Sequence, residues 1–212
     1  ICSGLVGSEM CIRDSPNSNE HVTSSMDTAL EPLRLADGPI IKSVTNLGGP
    51  PGIESQQDAD NAAVQVIDII KRNNSADAFV IACFSDPGIY AAREVTNKPV
   101  FGIAESGILT ALSLGSSFGI LAILDTSVPR HIRYIRSLGL EKRLAGDLAI
   151  GLGVAELSNE KKTFHRLQEV GRKLRDNSGA SVLILGCAGM ARYRLSLQES
   201  LGMPVVDCLL YT

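Results

Sequence analysis

The chain of 212 residues is 44 % hydrophobic and 20 % charged, with a formal net charge of −3, the balance of an ordinary globular domain. It has no basic excess to grip a phosphate backbone, four Tyr, five Phe and no Trp to stack on bases, and no apolar run near the ~20 residues that span a bilayer. Nucleic acid and membrane are therefore not expected partners, and a small-molecule substrate is.

The first residues, ICSGLVGSEMCIRDS, have no helical or strand period. Back-translated, Cys11-Ile12-Arg13-Asp14-Ser15 admits TGT ATA AGA GAC AG, and Cys208-Leu209-Leu210-Tyr211-Thr212 admits TGT CTC TTA TAC ACA, its reverse complement in a shifted frame. Both ends thus read as one inverted library adaptor translated as protein. Residues 1–15 and 208–212 are expected to be non-native segments, and residues 1–14 and 208–212 to pack little against the body. On this reading Cys2, Cys11 and Cys208 drop out, and Cys83 and Cys187 remain. Two thiols 104 positions apart, in no C-x-x-C and without ligand-spaced His, suggest neither a disulfide scaffold nor structural zinc. A reduced pair in the cytoplasm is the expectation.

From Pro39 onward, short β-branched runs alternate with stretches of helical period, the pattern of an α/β protein with parallel sheets flanked by helices. Strands are expected at Ile40 to Val44, Ala78 to Ala82, Val100 to Ile103, Gly119 to Leu124, Ser181 to Leu185 and Val205 to Val206. Helices are expected over Gln57 to Lys71, with Ala63, Val66, Ile67 and Ile70 on one face, over Glu105 to Leu114, and over Lys161 to Arg175, with Phe164, Leu167 and Leu174 inward. Gly48 to Gly52 lacks the Lys and spacing of a phosphate loop and reads as a segment that closes over a cleft.

A weak internal repeat organises the chain. ADAFVIACFSDPG runs through a helix to NKPVFGI, and GASVLILGCAGMA runs through a helix to GMPVVD. In each copy an apolar strand ends at a cysteine, turn-forming residues follow, and a Pro-Val strand comes next. Two pseudo-symmetric lobes, residues 16–104 and 105–207, would then set Cys83 opposite Cys187 across a shared cleft, where open parallel sheets bind ligands. A fainter echo pairs Ser15-Pro16-Asn17 and His21 with Asp125-Thr126-Ser127 and His131. The residues after each cysteine, Ser85 to Gly88 and Ala188-Gly189, suit a turn into a helix whose N–H groups would favour thiolate. Asp86 reads as a turn residue capping the next helix, Glu105 as compensating a helix dipole, and His165 as solvated.

The motifs PNSN at Pro16 to Asn19, GPPGIES at Gly49 to Ser55, IACFSDPG at Ile81 to Gly88, AARE at Ala91 to Glu94, PVFGIAES at Pro99 to Ser106 and LGCAGMA at Leu185 to Ala191 resemble the hydantoin and allantoin racemase branch of the aspartate/glutamate racemase superfamily. The resemblance implies two α/β lobes, a homo-oligomer, and catalytic Cys83 and Cys187 that racemise a carbon next to a carbonyl with no cofactor and no metal. Beside them, Asn17, Phe84, Ser85, Thr126, Ser127, Ala188 and Gly189 are the expected substrate contacts: Ser85 and the backbone N–H groups after each cysteine as donors to the developing enolate oxygen, and Asn17, Thr126 and Ser127 on loops that rim the crevice. Amino-acid racemases of the superfamily set Asn and Thr beside the first cysteine and Thr and His beside the second. Phe84-Ser85 and Ala188-Gly189 stand there instead, and suit a neutral ring such as a 5-substituted hydantoin or allantoin. Aspartate/glutamate racemisation, maleate isomerisation and malonate decarboxylation on the same scaffold are the alternatives, with a non-catalytic binding module behind them; retention of both thiols favours racemisation. The family begins with an apolar strand before its N-P-N motif, so the first strand of the first lobe is expected to be missing.

Overall fold

A computed structural model describes residues 9–210. Two four-stranded parallel sheets share one topology. The first holds β1 (Met10–Ser15), β2 (Ile40–Thr45), β3 (Ala78–Ile81) and β4 (Val100–Gly102) in the order β2-β1-β3-β4. The second holds β5 (Phe118–Ala122), β6 (Leu144–Ala149), β7 (Val182–Leu185) and β8 (Val205–Asp207) in the order β6-β5-β7-β8. The crossovers are α1 (Glu20–Ala29), α2 (Gln56–Arg72) and α3 (Ile89–Val95) in one lobe, and α5 (Val128–Ser137), α6 (Glu160–Asp176) and α7 (Arg194–Leu201) in the other. Helix α4 (Ile103–Leu114) joins the lobes. The boundary expected after residue 104 therefore falls inside a helix.

Strands buried on both faces need apolar residues at every position rather than alternate ones, and β3 and β7 supply them as AFVI and VLIL. One face of each sheet packs under its outer helices: Ile12, Phe79 and Ile81 meet Val66, Ile70 and Ala92, and Leu183 and Leu185 meet Leu167, Leu174 and Leu197. The other faces meet in one core, where Val80, Ala82, Ile120, Ile184 and Val206 surround Ile103, Ala104, Ile108 and Ala111 of α4. The buried side of this helix packs between the two sheets, while Leu109 and Leu114 on its outer side are exposed. The capping box of α2, Ser55 with Asp58, fixes where that crossover begins. Among the described residues, no helix is long and apolar enough to cross a membrane.

The expectation that the first strand is missing and that the ends pack little is corrected for the described residues. Strand β1 lies between β2 and β3, with Cys11, Ile12, Arg13, Asp14 and Ser15 all buried. Cys208 and Leu209 are buried as well, in the turn after β8. Leu5 and Val6 lie outside the described residues. The physical reason is that a central strand requires two backbone ladders and an apolar residue on each face, and Cys11 and Ile12 meet that requirement whatever the origin of the segment. The same segment buries two charged side chains. Arg13 Nη1 donates to the Leu209 carbonyl at 2.9 Å. Asp14 shares a face with Ile12, and among the described residues neither of its carboxylate oxygens has a hydrogen-bond partner.

Burial pushes the Asp14 carboxyl up to about 7. A carboxyl raised in the folded state stabilises the fold while protonated, and that contribution is lost as pH climbs from about 4 through about 7. Asp14→Asn keeps the shape and cannot ionise. Its advantage over the parent in urea unfolding is expected to grow by up to about 4 kcal/mol between pH 4 and pH 8. Taking the difference between the two proteins cancels the other buried carboxyls, Asp86, Asp147 and Asp207. A difference independent of pH would mean that Asp14 is not buried.

Candidate active site

Each cysteine lies two residues beyond an inner strand, Cys83 after β3 and Cys187 after β7, at the carboxyl ends of the two sheets. Both are half-buried free thiols in the wall of one cleft between the lobes. Asn17, Phe84, Ser85, Ser127, Ala188 and Gly189 line the same cleft. Thr126 does not: its exposed hydroxyl is turned to the Glu54 carbonyl at 2.9 Å. That is a correction, because a loop crossing from the first lobe takes the hydrogen bond that a substrate was expected to take.

The crossing loop is the glycine- and proline-rich segment before α2. Pro50 accepts from the Ser18 N–H at 2.9 Å, Ile53 lines the cleft, and Glu54 Oε1 accepts from the Val154 N–H of the second lobe at 2.8 Å. Val22, Ile53, Phe84, Ile123 and Val154 make most of the wall apolar.

Neither thiol sits where an ordinary thiolate would. Burial pushes Cys83 up to about 12; Arg130 and the Ser85 hydroxyl oppose it, while negative charge on Cys187 or Asp86 adds to it. Burial pushes Cys187 up to about 11, opposed by the Gly189 N–H. The expected helix N-termini therefore do not prevail over desolvation. Cys187 caps only a short 3-10 turn, Ala188–Tyr193. Cys83 has no helix start beside it, since Ser85 and Asp86 turn back onto its carbonyl and α3 begins at Ile89.

Several side chains of the site come from residues that the sequence pattern did not single out as functional. Arg130, on α5, is 8 % exposed and reaches across the cleft, its Nε donating to Ser85 Oγ at 2.8 Å. Among the described residues its Nη1 and the Ser127 Oγ have no hydrogen-bond partner. His131 is buried in the cleft wall, with Nδ1 2.9 Å from Asp147 Oδ2 and its ring met edge-on by Phe84. The faint echo with His21 places both histidines on equivalent helices, yet His21 is exposed and His131 is not. His165 is exposed, and Glu105 pairs with Arg93.

Asp86 turns the chain after Cys83, with φ of 42°, and caps α4 rather than the helix that follows it. Its carboxylate accepts from the Ala104 and Glu105 N–H groups at 2.9 and 2.8 Å and from the Tyr134 hydroxyl at 3.0 Å. It thus ties the cysteine loop to α4 and α5 at once. Burial raises its carboxyl to about 7, with those donors opposing.

The sequence profile of the Asp/Glu/Hydantoin racemase family matches residues 15–211. A hydantoin racemase of Pseudomonas sp. (strain NS671) is 35 % identical over 196 residues, which cover 91 % of this chain and 78 % of that protein. Among solved structures, an allantoin racemase from Klebsiella pneumoniae is 29 % identical with a TM-score of 0.87, covering 97 % of this chain and 84 % of its own. The allantoin racemase from Pseudomonas fluorescens is 25 % identical with a TM-score of 0.88, covering 96 % of this chain and 86 % of its own.

The Asp86 anchor is testable through its neighbour. Gly102 has ordinary strand dihedrals, φ −108° and ψ 137°, yet a Cβ there would lie 2.1 Å from the Asp86 carboxylate carbon. Gly102→Ala is therefore expected to lose roughly 2 kcal/mol or more in urea unfolding, through overpacking and loss of the cap rather than backbone strain. An alanine variant as stable as the parent would show that Asp86 does not pack there.

Proposed function

The chain belongs to the Asp/Glu/hydantoin racemase family, and we propose that it racemises a 5-substituted hydantoin or allantoin with no cofactor, one of Cys83 and Cys187 removing a proton from one face of a carbon and the other donating its own proton to the opposite face. The observation that carries this reading is the placement of two thiols at equivalent strand ends in one cleft. Racemisation needs access to both faces of a single carbon, and one base does not readily reach both.

The carbon between a ring carbonyl and a ring nitrogen is a weak acid. A thiolate on one face takes its proton: the C–H bond breaks, an S–H bond forms, and the electron pair spreads to the carbonyl oxygen as an enolate. The thiol on the other face then gives its proton to the carbon, and the negative charge ends on the second sulfur. The enantiomer is released, and reaction in the reverse sense, or exchange with water, resets the pair. The Ser127 hydroxyl and Arg130 Nη1, both without a hydrogen-bond partner among the described residues, are the donors at hand for the enolate oxygen. The apolar wall limits the water near the carbanion, and a thiol with a high pKa is useful there because a basic sulfur is a strong proton acceptor.

The apolar wall supports a neutral ring over a zwitterion. One observation favours the second reading, an amino-acid racemase: the Arg130 cation, which could pair with a carboxylate. Incubation with optically pure 5-substituted hydantoins, allantoin, aspartate and glutamate, followed by circular dichroism, separates them. Decay of the signal to zero is expected with a hydantoin or allantoin. Activity on aspartate or glutamate alone would overturn the substrate reading. Cys83→Ser and Cys187→Ser are each expected to lower the rate by about 10² to 10⁴-fold, and a Cys187→Ser protein as fast as the parent would overturn the two-thiol mechanism.

A further inference from the structure

Resting on that two-thiol reading, we infer that Arg130, anchored on Ser85, is the positioning residue that makes Cys83 rather than Cys187 the first of the pair to give up its proton. The two thiols are alike in fold position but not in what surrounds them. Among the residues lining the cleft, Arg130 is the one lysine or arginine, and it stands on the Cys83 side. Its Nε occupies an acceptor position of the Ser85 hydroxyl. Ser85 stands two residues after Cys83 and lines the same cleft, so this hydrogen bond holds the guanidinium on the Cys83 side. The geometry therefore anchors the cation beside the loop that carries Cys83, where it and the Ser85 hydroxyl both favour the ionised thiol. Cys187 has only the Gly189 N–H and feels the carboxylate of Glu54 instead.

Other charges near the pair do not reverse this. Asp86 faces Cys83, but its carboxylate is engaged by two backbone N–H groups and Tyr134. Asp58 and Asp147 face Arg130 from the first and second lobes, and Arg133 lies along the same helix. Asp147 is held by His131, and Asp58 by the N-terminus of α2. Burial is the largest cause of the high value of Cys83; Arg130 opposes it, and negative charge on Cys187 adds to it. With Cys187 protonated that repulsion is gone, and Arg130 is left to favour ionisation of Cys83. A guanidinium that is 8 % exposed acts through little intervening water, where a charge interaction is least screened. Its Nη1, buried and without a partner among the described residues, remains free for the anionic oxygen that forms when charge leaves the sulfur.

Alkylation tests this without any substrate, and so separates its failure from failure of the racemase reading. Iodoacetamide reacts with thiolate: the sulfur displaces iodide and forms a thioether. The labelling rates of Cys83 and Cys187 are read peptide by peptide in the mass spectrum, from pH 6 to pH 10. In the parent, Cys83 is expected to label faster and from lower pH. Arg130→Gln should slow Cys83 at pH 8 by about tenfold or more, one pKa unit upward, and leave Cys187 unchanged or faster. Arg130→Lys keeps the charge and should recover most of the rate, which a merely structural role for the fork would not allow. Ser85→Ala removes one small hydroxyl and should shift Cys83 in the same direction, so the inference stays open to refutation if Arg130→Gln does not fold. Faster labelling of Cys187 in the parent, or a Cys83 profile unmoved by both Arg130→Gln and Ser85→Ala, would overturn it.

Discussion

Desolvation of two thiols is the constraint on which the rest of this structure turns. Two parallel sheets of the same topology meet through a common core, and each delivers one cysteine to the seam where their carboxyl ends converge. Burial there drives both sulfurs toward the neutral form. A cleft of this kind does not readily hold two thiolates, because each would raise the other and both would lack water. It can hold one negative charge, if something in the wall is positive. Under the proposed mechanism, the apolar lining, the arginine and the polar groups at Ser85, Ser127 and Gly189 would serve a charge that moves between two sulfurs and an oxygen.

The seam has to be held in register for that to work, and the polar contacts that cross it do so. Asp86 binds the loop of the first cysteine to α4 and to Tyr134 of the second lobe. Glu54 carries the glycine-rich loop over to Val154, and Thr126 fastens the same loop from the other side. These bonds connect residues 18 to 100 positions apart. Each lobe alone would leave its half of the cleft open to water, and the sulfur on it would be an ordinary surface thiol.

What the sequence disclosed was the repeat and what it omitted was the seam. AFVIAC and VLILGC announce buried parallel strands because they are apolar without alternation, and α2 and α6 show a helical period over 17 residues each. The duplication alone could place the two cysteines at equivalent strand ends, and both line one cleft. Strand β6, LAGDLA, was hidden because its Gly and Asp break an apolar run; Gly146 lets Leu174 approach, and Asp147 is there to meet His131. Strand β1 was hidden for a different reason: its charged residues argue against a core, and it is in the core nonetheless because its backbone fills the place between β2 and β3. Arg130 and Ser85 are 45 positions apart, on different lobes, and nothing local in VPRHIRYIRS distinguishes an arginine that enters a cleft from its neighbours Arg133 and Arg136, which face outward. Pairings of that kind belong to tertiary structure.

The central claim, that one thiol removes a proton from one face of a carbon and the other donates its own to the opposite face, is most directly tested by running the reaction in D₂O from one pure enantiomer and stopping it at low conversion. Two sulfurs that have taken deuterium from solvent should deliver it to the product alone, so the product enantiomer is deuterated and the recovered substrate still carries hydrogen. Deuterium appearing equally early in the recovered substrate would indicate one base serving both faces and would contradict the account.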